Sequence, residues 1–321
     1  MSQPLATTPA QSKVALRHIV VFVVLAYALF WLISLPLWLD PQGLAAPYAR
    51  PLMAAGMFSP ALAAAAVTLL QRRSLLDGLG LRSSSGVRRI ITMSLAGVVI
   101  VIVVVALSWL LAGYLGVGRF DLSMPGADLL LAGVPADKLP AGMTPQTAFW
   151  VQLGSGLVAG ATINAVFGAG EEMGWRGWFV PALLPLGRVP AMVIAGVVWG
   201  GWHAPIMLLG YNYPGAPRPL AMGLMLIFTT LFGTLLAWLR IRSDSIVPAA
   251  IAHGVLNAIV GFTFVFAAGG DLDWALASPM GMIGFIVLLP VAAALLRQQW
   301  TALPRIGVDP RPTTSTGAAQ G

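Results

Sequence analysis

The chain contains no cysteine, which excludes disulfides and thiolate metal sites and leaves the redox compartment unread. Charge is nearly as scarce. Only 9% of the 321 residues are charged and 58% are hydrophobic, whereas a soluble domain carries about 25% charged residues. A water-soluble enzyme is thereby excluded, and the chain reads as an integral membrane protein. Alternation is missing as well: Gly97 to Leu107 holds no polar side chain, although a transmembrane barrel strand would alternate apolar and polar residues over about ten positions. The spans are therefore expected to be helical, each needing about 20 apolar residues at 1.5 Å per residue.

Hydropathy divides the chain into about eight spans, near 17–39, 52–70, 88–112, 147–170, 190–209, 219–239, 245–266 and 280–297. The expected fold is an all-α polytopic transmembrane helical bundle without internal repeats. Residues 1–12 and 304–321 lack apolar periodicity and are read as disordered tails, flanking one transmembrane domain over 13–303 whose motif core is 147–266. The run from Ile19 to Leu39 exceeds the 7–15 apolar residues of a typical signal peptide, so the first span is read as retained. The loop from Gly113 to Gln146 carries four prolines and several glycines and is expected to be irregular.

The net charge of +7 points to topology rather than to nucleic acid. With the N-terminus inside, Lys13, Arg17, Arg72, Arg73, Arg82, Arg88, Arg89, Arg176, Arg188, Arg240, Arg242, Arg297, Arg305 and Arg311 fall on the inner side. Only Arg50, Arg119, Lys138 and Arg218 fall outside. By the positive-inside rule the expected location is the cell membrane, multi-pass, with both termini cytoplasmic.

Against this apolar background the few ionisable groups stand out, because ionisable groups at membrane depth usually mark a functional site. The only two glutamates are neighbours, in Glu171-Glu172-Met173-Gly174-Trp175-Arg176. Adjacent helix residues point about 100° apart, so the carboxylates diverge. Glu172 and Arg176 have the i, i+4 spacing of an ion pair, which leaves Glu171 free to act as a base. A charge cluster capping the end of the fourth span is the competing reading. Two of the three histidines lie in later spans, in Trp199-Gly200-Gly201-Trp202-His203 and in His253-Gly254-Val255-Leu256-Asn257. His253 and Asn257 share a helical face and can address one substrate atom, although polar packing between helices would also use them. Pro205 is expected to bend its helix just past His203.

In this order, E-E-x-x-x-R, aromatic-x-x-x-His and His-x-x-x-Asn resemble the CPBP intramembrane proteases, also called CAAX proteases or bacteriocin-processing Abi proteins. The resemblance covers roughly 171–257. It implies an endopeptidase that hydrolyses a bond of a membrane-associated peptide or protein substrate within the lipid bilayer. It further implies that Glu171 activates water, that His203 orients it, and that His253 and Asn257 stabilise the oxyanion, with Glu172, Arg176 and Trp199 in support. Trp199 stands where the family most often has Phe, which implies a retained packing role.

Cofactor use stays open. The resemblance implies metal-free glutamate chemistry at least as readily as zinc chemistry: Glu171, His203 and His253 are a ligand set compatible with zinc, while H-E-x-x-H is absent. Depth poses a further condition: His203 would lie ~20 Å and His253 ~12 Å from the cytoplasmic ends of their spans, with Glu171 near the end of its own. Their meeting requires tilt or displaced span boundaries, and a water-accessible cavity open to the cytoplasmic side. A proton-coupled transporter and a non-catalytic immunity or scaffold protein are the alternative functions.

Overall fold

The computed structural model describes residues 16–132, 134–268, 272–298 and 300; the expected tails 1–12 and 304–321 lie outside the described residues. The principal helices are α1 (Leu16–Leu39), α2 (Ala49–Leu70), α3 (Val87–Tyr114), α4 (Pro145–Leu186), α5 (Arg188–Trp202), α6 (Ala204–Met207), α7 (Arg218–Ser243), α8 (Val247–Phe266) and α9 (Met282–Arg297). Among the described residues no strand forms, only one isolated bridge between Phe120 and Ala267.

Among the described residues seven helical stretches are long and apolar enough to cross a membrane, the last being Trp274–Arg297, which contains α9. The remaining expected span, near 190–209, is divided into α5 and α6 at His203. Pro205, second residue of α6, is the cause: it has no N–H to continue the hydrogen-bond ladder. The break thus falls at His203 itself, at the place where Pro205 was expected to bend the helix.

The lipid-facing surface follows from composition. In α1 the buried residues Phe22, Ala26, Phe30 and Ser34 recur every fourth position, while Val20 and Val24 on the other side are exposed. Exposed apolar side chains on a soluble protein would mark an interface; here they match the hydrocarbon of a bilayer.

The fourth span does not end at residue 170. Thr144 caps α4 by accepting from the Thr147 N–H at 3.1 Å, and Pro145 occupies the first turn, where its missing donor costs nothing. From there 42 residues stay helical to Leu186, interrupted by two π-helical segments, Gly160–Asn164 and Met173–Phe179. Such bulges are frequent at functional sites. Glu171 and Glu172 stand between them, in the interior of the helix. Arg176 consequently moves from the inner loops into the bundle, and the basic asymmetry rests on the remaining arginines and Lys13.

Small residues set the helix spacing. A Cβ on Gly160 would meet Val255 Cα at 2.7 Å, and one on Gly254 would meet the Gly160 carbonyl oxygen at 2.4 Å. The backbones of α4 and α8 therefore touch, as small residues permit in membranes, bringing Glu172 to His253. The turn between α7 and α8 is covered by the 71–86 loop, where Asp244 accepts from the Ser84 backbone N–H and hydroxyl at 2.8 and 2.6 Å. In the expected irregular loop, the short 3-10 turns Val117–Arg119, Ala127–Leu130 and Ala136–Lys138 are the regular structure between α3 and α4.

Candidate active site

Glu172 is fully buried and its Oε1 accepts two hydrogen bonds, from Arg176 and from His253 Nδ1, each at 2.9 Å. Removing ions from water costs several kcal/mol each unless partners compensate, and this carboxylate has both an intrahelical and an interhelical partner. A cluster capping the end of a span is excluded by position: Glu171, Glu172 and Arg176 are at most 3% exposed and lie within a continuing helix.

Glu171 points to a different neighbour. Its Oε2 accepts from the Trp199 indole N–H at 2.7 Å. The Arg176 guanidinium lies 4.0 Å above the Trp199 ring, a cation–π distance. Trp199 is therefore more than packing: the indole supplies a donor that Phe lacks, and it links the two carboxylates' environments. Gly233 of α7 makes room for this stack, since a Cβ there would stand 2.8 Å from Arg176 Nη2.

His203 closes α5. Its Nδ1 donates to the Trp199 carbonyl at 2.9 Å, because a carbonyl can only accept, so in the neutral ring Nε2 carries the lone pair. The preceding Trp202 anchors the helix end by donating to Ala26 O and Ser59 Oγ at 3.2 and 3.1 Å and stacking on Phe30 at 4.1 Å. His253 is oriented likewise through Nδ1, which leaves Nε2 as its free nitrogen. Asn257, one turn along α8, is exposed and makes no side-chain hydrogen bond to the described residues.

Glu171, Trp199, His203, His253 and Asn257 all line one cavity of about 500 Å³, within the usual range for small-molecule sites. Glu172 and Arg176 lie behind its wall. The depth condition is met by the extension of α4 rather than by tilt. Glu171 is 15 residues before Leu186 and His203 is 15 after Arg188, about 22 Å from the same face in each case. The opening, however, is on the other side. Arg50, Tyr211, Asn212 and Met280 continue the lining toward the ends of α1, α2 and α5–α6, and none of it comes from the 71–86 or 244–246 loops. An opening on the side of the arginine-rich loop is thus corrected.

Sequence reasoning missed Asn164, Arg50 and Tyr211 in this lining and Gly233 behind it. The π segment Gly160–Asn164 turns Asn164 toward the cavity, and nothing in the local pattern announces a bulge. Among the described residues no three His, Asp or Glu side chains are arranged to hold a metal ion. Glu171, His203 and His253 share the cavity, and each keeps one atom unbonded among the described residues: the second oxygen of Glu171 and Nε2 of both imidazoles.

Residues 149–259 match the family described as type II CAAX prenyl endopeptidase Rce1-like. The segment is similar to the CPBP/CAAX proteases. It covers roughly one third of the chain and includes all three motifs, from Glu171 to Asn257. No curated protein matches the chain. The apolar helices make this a multi-pass membrane protein, and its matched segment is similar to a peptidase family.

Proposed function

We propose that the chain is an intramembrane endopeptidase in which Glu171 is the general base. The observation that carries this reading is one carboxylate oxygen of Glu171 held by Trp199 on the wall of a cavity that His203, His253 and Asn257 also line. A base must be within hydrogen-bond reach of its water. Here the second oxygen of Glu171 and Nε2 of His203 are the free acceptors for that water.

In this mechanism water attacks the peptide carbonyl carbon as its proton passes to Glu171, forming a C–O bond and an oxyanion. The oxyanion then collapses, the C–N bond breaks, and Glu171 returns the proton to the departing amine. Asn257 donates its side-chain N–H to the oxyanion. His253 Nε2 donates only as imidazolium, since Nδ1–H already faces Glu172. Two buried carboxylates against the single guanidinium of Arg176 supply the charge balance which that form needs. No step in this scheme passes through a metal.

The substrate is a membrane-associated protein or peptide, since the scissile bond must reach a cavity walled by transmembrane helices. A transporter path would connect both faces, whereas this lining runs from Glu171 toward one. Cleavage of membrane peptides by the purified protein in detergent tests the reading, with Glu171→Gln as control and liposome uptake as the competing assay. Uptake without hydrolysis would replace the protease with a transporter.

A further inference from the structure

The cavity is electrically polarised along its length. Among the described residues of its lining, Arg50 is the only Lys or Arg and Glu171 the only Asp or Glu. Arg50 lies in the first turn of α2, exposed, and forms no ion pair among the described residues. The nearest acid in sequence, Asp40, is hydrogen-bonded to Tyr48 instead. Glu171 forms no ion pair with Arg50 and is held to Trp199 instead.

The mouth beside Arg50 is built with care. Asn212 holds a left-handed backbone, φ +63°, sparsely populated outside glycine although Asn tolerates it better than most. Tyr211, next to it, is exposed and lines the same cavity as Arg50.

An unpaired guanidinium at the rim and a carboxylate at the floor orient a peptide in one direction. Arginine suits carboxylate recognition, because its planar fork can hold both oxygens. Bulk hydrophobicity alone would let an apolar peptide enter either way round. We propose that Arg50 anchors a carboxylate of the substrate peptide, fixing the distance from that group to the bond presented to Glu171. This rests on the protease reading, and it adds a substrate class: peptides bearing an acidic group, either a free C-terminus or an acidic side chain, beyond the cleavage site.

The test reads binding separately from catalysis. A fluorescent apolar peptide is prepared with a free C-terminal carboxylate, as the C-terminal amide, and as the amide with one internal Asp. Anisotropy with Glu171→Gln protein in neutral detergent gives the three Kd values. The expected result is about tenfold tighter binding of a carboxylate form than of the plain amide, in line with a charge-assisted hydrogen bond. That advantage is lost in Glu171→Gln/Arg50→Gln and partly kept with Arg50→Lys. Preference for the free-terminus peptide alone assigns the terminal carboxylate; preference for the Asp peptide alone assigns a side chain. Three indistinguishable curves, no binding at all, or a preference that survives Arg50→Gln overturns the anchor. Wild-type cleavage of the same peptides reports on the protease reading: preference without cleavage sinks that reading alone, and cleavage without preference sinks the anchor alone.

Discussion

The Trp199 indole N–H and the Glu171 carboxylate meet at 2.7 Å across two helices, α5 and α4. A phenylalanine at 199 would keep the ring beneath Arg176 but leave Glu171 without this donor. A buried acceptor that loses its partner costs about 1–3 kcal/mol, more when charged, and the freed carboxylate can rotate away from its water. Trp199→Phe is expected to lower kcat about tenfold or more with a smaller change in KM, because a phenyl ring keeps an aromatic wall on the cavity while the donor to Glu171 is lost. A purely packing role for Trp199 predicts instead that kcat is preserved and only thermal stability moves. Steady-state kinetics beside a melting curve separates the two.

The adjacent glutamates should part company on mutation. Glu171→Gln removes the base and keeps the shape, so turnover is expected to fall by at least the factor of about 10²–10⁴ that general base catalysis supplies, with Tm near wild type. Glu172→Gln withdraws the charge facing Arg176 and His253, both buried. Breaking a buried ion pair by removing one partner costs about 3–5 kcal/mol, so this variant is expected to lose stability first. Near-normal cleavage by Glu171→Gln would end the proposed chemistry.

Several of these relationships could be read from spacing, and the others could not. The i, i+4 interval of Glu172 and Arg176, and that of His253 and Asn257, are properties of one helix, so the sequence carries them. The second bond to Glu172, from His253, depends on Gly160 and Gly254 letting two backbones touch, and a lone sequence does not say which helices meet. The fourth span was expected to stop at 170 because glutamates and an arginine depress hydropathy there. The charged groups instead find partners inside a helix that continues to Leu186, Glu172 with Arg176 and His253 and Glu171 with Trp199. Trp199 was read as a ring, since side-chain type does not reveal where an indole N–H points. Arg50 was counted only as a loop charge, because a cavity wall assembled from distant segments leaves no local pattern.

The membrane orientation carries its own prediction. The 71–86 loop and its flanks hold Arg72, Arg73, Arg82, Arg88 and Arg89, and cytoplasmic loops are enriched in such residues. Reporter fusions in this loop are therefore expected to score as cytoplasmic, and fusions within 113–146 as external. In that orientation the mouth beside Arg50 and Tyr211 opens outward, so peptide added from outside intact cells should be cleaved without crossing the membrane. Fusions that place the arginine-rich loop outside would reverse the direction of substrate entry.

Asn257 offers the sharpest separation of catalysis from structure. It lies one turn from His253, is exposed to the cavity, and forms no side-chain hydrogen bond among the described residues, so truncating it breaks no visible contact of the resting protein. If its amide donates to the oxyanion, its contribution exists only once the carbonyl has been attacked. Removing one such donor typically costs about 10²–10³ in kcat. Asn257→Ala is accordingly expected to slow single-turnover cleavage by that factor while KM and the melting temperature stay close to wild type. Asn257→Asp keeps the size but replaces the donor with an acceptor facing negative charge, and it should be slower still. A stable Asn257→Ala protein that cleaves at the wild-type rate would remove Asn257 from the oxyanion site and leave His253 as its only candidate donor.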